Sequence, residues 1–134
     1  MQLVQQMQLV QSAKQEFKKM NKIINDILTI IDTYNSIEID KTNGFYLNEM
    51  LKGLTTNLFY LETIRSKHHL NFEKIIHQEV SNGKTVARAT NKANVEVPEI
   101  YQLRRIMTAG YRVSDAIRTN ISFLKSELNN IKTD

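Results

Sequence analysis

The sequence predicts an all-α fold, an elongated hairpin or bundle of three long helices plus one short helix. It reads as a single domain over residues 1–134 that self-associates. Three observations predict this. Apolar residues recur at helical three- and four-residue spacing along nearly the whole chain. Turn chemistry is sparse, with four Gly and one Pro in 134 residues, too little for a sandwich or barrel of many short strands. A content of 41% hydrophobic and 24% charged residues suits a packed core better than a disordered chain. Three helices of about 35 residues would each run roughly 50 Å. Rods of that length leave apolar stripes bare unless they pair, and so the sequence predicts a homo-oligomer.

The first helix is expected from about Leu3 to Ile37. Val10, Phe17, Ile24 and Ile31 fall seven apart, and Ala13, Met20, Ile27 and Tyr34 follow each by three, a sustained heptad. Leu9, Ile23, Leu28 and Ile30 widen the stripe, so this helix should have more than one neighbour. Its start repeats Gln2-Leu3-Val4-Gln5 as Gln8-Leu9-Val10-Gln11 and lacks a cap, so residues 1–12 read as a frayed or partner-ordered arm. Asp40, Thr42, Asn43 and Gly44 form a turn, with Gly44 free to take a positive φ. A second helix follows from about Phe45 to Val80, carrying Leu47, Leu51, Leu54, Leu58, Leu61, Phe72 and Ile75. Gly83 terminates it in a left-handed conformation. Thr85 caps a short helix from Val86 to Asn94. Val97 precedes proline and should leave the helix. Pro98 and Glu99 then open a fourth helix, whose stripe of Ile100, Leu103, Met107, Ile117, Ile121, Leu124, Leu128 and Ile131 reaches the end. Gly110 and Ser114 lie on or beside that stripe and permit close approach of another helix. The heptads mark Phe17, Ile24, Ile31, Gly110, Ile117 and Leu124 as positions for the oligomer interface.

Several chemistries are excluded or disfavoured. With no Cys there is no disulfide scaffold, thiol catalysis, Cys-ligated zinc or iron–sulfur cluster. The opening residues lack the basic start and apolar run of a secretory signal, and nothing approaches eighteen consecutive apolar residues. A cytoplasmic protein without a membrane partner is the expectation. His69, Glu73 and His77 stand four apart, but the paired Glu-x-x-His of a bundle metal site is missing. His68 falls in the seam, where a packing role is the simpler reading. Gly83-Lys84-Thr85 lacks the earlier glycine of a phosphate loop, its place being Glu79. No cofactor, metal or enzymatic activity is expected.

Charge carries the functional signal. The chain is +4 overall, but residues 1–40 are −1, residues 41–83 are +1 and residues 84–134 are +4. Five of its six Arg lie in the last segment. On a helical wheel, Arg104, Arg105, Arg112, Arg118 and Lys125 occupy the half of the fourth helix opposite its apolar stripe, together with Tyr101, Tyr111 and Phe123. Cations that track phosphates and rings that stack on bases suit single-stranded nucleic acid. Lys84, Arg88 and Lys92 add a cationic edge on the short helix. Two other readings compete: the rings pack on a neighbouring subunit, or the arginines pair with acids of the first helix.

The segment Lys84-Thr85-Val86-Ala87-Arg88-Ala89, the hinge Val95-Glu96-Val97-Pro98, and the helix bearing Asp115-Ala116-Ile117-Arg118 and Ile121-Ser122-Phe123-Leu124-Lys125 resemble phage recombination mediator proteins of the UvsY type. The likeness covers about residues 84–132 and lies in pattern and order. It implies a non-enzymatic protein whose helical subunits form rings, which binds single-stranded DNA, helps displace single-strand-binding protein and loads a RecA-like recombinase. Carried onto this chain, Lys84, Arg88 and Lys92 would contact DNA while the last helix supports assembly. The longer first helix and the Arg/Tyr density of the last depart from that pattern. The latter suggests that Arg104, Arg105, Tyr111, Arg112 and Arg118 share the DNA contact. The alternatives are a phage-encoded helical module that inhibits a host or defence protein, or a structural protein of a virion.

Overall fold

The structure, a computed structural model, describes residues 2–36 and 40–133. Among them are four helices and no strand: α1 (Gln2–Asn35), α2 (Gly44–Ser81), α3 (Val86–Glu96) and α4 (Glu99–Thr133). The all-α architecture of three long helices and one short one is as the periodicity predicts. The expected end of the first helix at Ile37 falls among residues outside the described ones.

Local chemistry sets the boundaries. Asp40 accepts hydrogen bonds from the Thr42 backbone N–H at 2.9 Å and from the Thr42 hydroxyl, which holds its carboxyl below the ordinary range. The Asn43 side chain accepts from the Tyr46 N–H at 3.1 Å and caps α2. Gly44 is the first residue of α2 and does not use the positive φ open to it. The cap comes from Asn43 instead, so the turn needs no left-handed residue. Gly83, at φ 88°, does take that conformation and reverses the chain after α2. Thr85 caps α3 by accepting from the Arg88 N–H at 3.2 Å. Val97 ends α3, and the Pro98 carbonyl accepts from the Gln102 N–H at 3.3 Å at the start of α4.

α2 is the central element, packed against α1, α3 and α4. Ile30 lies against Gly53, while Met20 lines one cleft with Tyr60 and Ile64 near the other end of their contact, so α1 runs antiparallel to α2. Gly110 lies against Leu58 and Leu124 approaches Gly44, so α4 is antiparallel to α2 as well. α1 and α4 therefore run parallel, tied where the Asn120 amide donates to the Tyr34 hydroxyl. One core joins the three: Ile23, Ile27, Ile31 and Tyr34 from α1, Leu47, Met50, Leu54, Leu58 and Leu61 from α2, and Leu103, Met107, Val113 and Ile117 from α4.

This arrangement relocates most of the residues assigned to an interface between copies. Ile31, Gly110 and Ile117 are buried inside the chain's own core, and Ile24 and Leu124 are half-buried beside it. The apolar seam is filled from within by α2. Of the six, only Phe17 remains largely exposed, at 60%. Gly110 marks the tightest crossing, where an added Cβ would stand 2.7 Å from Leu58 Cδ2. Gly110→Val should lower stability by about 2 kcal/mol through overpacking, read by urea unfolding.

α3 returns along the C-terminal part of α2, burying the small side chains Ala89 and Ala93. Lys92 reaches Glu79 on α2 at 2.5 Å and lies 3.9 Å from Glu96. The hydrogen bond and charge of Glu79 hold the Lys92 ammonium above its ordinary pKa. A raised lysine pKa favours the folded chain at every pH below the ordinary lysine range, and that contribution is lost as pH rises through the raised value. Glu79→Gln removes it already at neutral pH. Amides of residues 86–96 should then exchange faster in that variant, with those of the α4 core unchanged.

Candidate nucleic-acid interface

α4 buries Leu103, Met107, Gly110, Val113, Ser114 and Ile117 on one side, and this fixes which side chains face outward. Arg104, Arg105, Arg112, Arg118 and Lys125 are all exposed. They fall into two lines. Arg104, Tyr111, Arg118 and Lys125 recur every seven residues, about 10 Å apart along the axis. Arg105 and Arg112 form a second line about 100° around the helix. Tyr101 lies between the two, exposed at 66%, and Tyr111 is exposed at 47%.

Arg104, Arg105 and Arg112 make no ion pair with another described residue, and neither do Lys84, Arg88 or Lys125. The competing reading in which acids of α1 neutralise the arginines therefore has no counterpart among the described residues. Arg118 is different, since its guanidinium is 3.4 Å from Asp115 one turn earlier on the same helix. Both side chains are exposed, so water screens that pair strongly and leaves Arg118 available. Lys92 is, with Arg118, one of two ion-paired residues among the eight predicted contact residues. It is committed to Glu79 and Glu96, and its charge is offset where Lys84 and Arg88 keep theirs.

Sequence reasoning overlooked Phe59. It is 69% exposed and follows Leu58, the residue in contact with Gly110, just as Tyr111 follows Gly110. Phe59 and Tyr111 thus flank the same α2–α4 crossing, and Tyr60 meets Phe59 edge-on with centroids 6.0 Å apart. A large exposed aromatic next to a seam residue was the available signal. Phe123 is also exposed, at 62%.

This surface offers exposed hydrogen-bond donors, cationic charge and ring faces. Among the described residues no three His, Asp or Glu side chains converge as metal ligands; His69 and Glu73 meet at 3.6 Å on the surface. No described helix is long and apolar enough to cross a membrane. No protein-family model matches the chain, and no similarity to a curated protein or a solved structure was found.

Proposed function

We propose that the protein binds single-stranded DNA along the outer face of α4 and acts, as a homo-oligomer in the cytoplasm, as a non-enzymatic recombination accessory. In this reading it helps load a RecA-like recombinase on strands held by single-strand-binding protein. The observation that carries the DNA contact is the set of exposed Arg104, Arg105 and Arg112, without ion pairs among the described residues, with Tyr101 and Tyr111 among them. Surface arginines without carboxylate partners keep their full charge for phosphate, and the rings between them can stack on unpaired bases. The recombination role rests on the resemblance of residues 84–132 alone. A second reading, a module that docks on another protein, is favoured by the exposed apolar side chains near the start of α1.

Fluorescence anisotropy with labelled oligo-dT at several salt concentrations tests the first reading. About four phosphate contacts imply a log–log slope of roughly −3. Tyr111→Ala should weaken binding by about tenfold or more with the slope unchanged, because stacking releases few counterions. No binding at low salt would contradict the proposal and leave the docking module.

A further inference from the structure

Residues 2–19 of α1 project beyond the three-helix core, and every described side chain among them is exposed. Leu3, Met7, Val10 and Phe17 line one side of this arm at helical spacing and are exposed at 70%, 57%, 54% and 60%. At the root of the arm a cleft of about 530 Å³ opens between α1, α2 and the start of α4. Phe17, Met20, Tyr60 and Ile64 supply its apolar wall, with charged groups such as Glu16 and Lys67 around it. Phe17 belongs to both the stripe and the cleft.

We propose that this arm pairs with the arm of a second copy of the chain, antiparallel and centred on Val10. Leu3 of one copy then meets Phe17 of the other, and the tip of each arm enters the cleft at its partner's root.

Three observations commit the surface to that occupant. First, residues 2–13 carry no charged side chain, and a register centred on Val10 sets Lys14 opposite Gln6 and Glu16 opposite Val4, so two copies meet without like charges facing each other. Second, the distances close. Val10 lies seven residues from both Leu3 and Phe17, about 10 Å each way, so one two-fold axis through Val10 superposes stripe on stripe and tip on cleft. Third, Leu3, Met7, Val10 and Phe17 each leave more than half of their surface in water, so pairing covers on both copies an apolar stripe that the described residues of one chain leave bare. An isolated helix of this length is marginal in water. Pairing supplies the packing that the arm lacks within one chain. The proposal rests on the arm alone and stands or falls independently of DNA binding by α4.

The chain has no Cys, so introduced thiols report pairing without background. Sedimentation of the full chain in the micromolar range should show a dimer. Val10→Asp should weaken it by at least about tenfold. The melting temperature of the core is kept in that variant, since Val10 lies outside the core cluster, while any loss of helical signal on circular dichroism is confined to the arm. Leu3→Cys mixed with Phe17→Cys should form a disulfide-linked heterodimer on mild oxidation, while Leu3→Cys alone does not cross-link. A monomer throughout that range overturns the proposal. So does a dimer unaffected by Val10→Asp, and efficient cross-linking of Leu3→Cys alone overturns the antiparallel geometry.

Discussion

Leu54→Ala is expected to lower the unfolding free energy by about 3 kcal/mol and the melting temperature by about 10 °C. Leu54 has no exposed surface and sits one turn before Leu58, which meets Gly110 of α4, and next to Gly53, which meets Ile30 of α1. It is therefore where the three long helices share packing, and deletion of its branched side chain leaves a cavity that none can collapse into alone. Against a total stability of about 5–15 kcal/mol, that is a large fraction. Thermal and urea unfolding measure it. A loss below about 1 kcal/mol would mean that α1 or α4 does not pack on α2 at that level. Phe17→Ala is the comparison. It removes a larger side chain that is mostly in water, and should leave the stability of the single chain within about 0.5 kcal/mol.

The second large effect is on binding. Arg104→Glu, Arg105→Glu and Arg112→Glu combined should reduce oligo-dT affinity by at least about 100-fold at low salt and flatten the salt dependence by about two units of slope. All three side chains are exposed and free of ion pairs with the described residues, so the fold should be untouched and the melting temperature preserved. Reversal at Lys92 would be a poor substitute. It would set a carboxylate against Glu79 and dislodge α3, which confuses binding with folding. An unchanged affinity in the triple variant would move the DNA contact elsewhere on the molecule.

Much of this architecture is legible in the sequence because helical periodicity reports which side of a helix is apolar. The stripe Leu47, Leu54, Leu58, Leu61 and the stripe Leu103, Met107, Ile117 are the core, and Thr85 and Gly83 punctuate the chain where the residues demand it. Periodicity does not report what covers an apolar side. The heptad through Ile24 and Ile31 reads equally well as a seam between copies and as a seam with α2 of the same chain. The closing of the chain at Gly53 and Gly110 decides for the latter. The same limit applies to charge. Four-residue spacing aligns Lys92 with Arg88, but Glu79 reaches Lys92 only because the reversal at Gly83 folds α3 back along α2. Phe59 is invisible to a reading centred on α4, since its significance lies in standing beside the partner of Gly110. By contrast, the outward face of α4 follows from the wheel alone, because a helix with one buried side has only one other.

The most direct measurement of the central claim is titration of the isotopically labelled chain with oligo-dT, followed by amide and side-chain NMR shifts. Changes are expected to concentrate on α4 between Tyr101 and Lys125, including the Arg104, Arg105 and Arg112 guanidinium signals, with Phe59 affected beside Tyr111 and residues 2–19 silent. Shifts confined to residues 2–19, or no shifts at concentrations where oligo-dT is in excess, would contradict it.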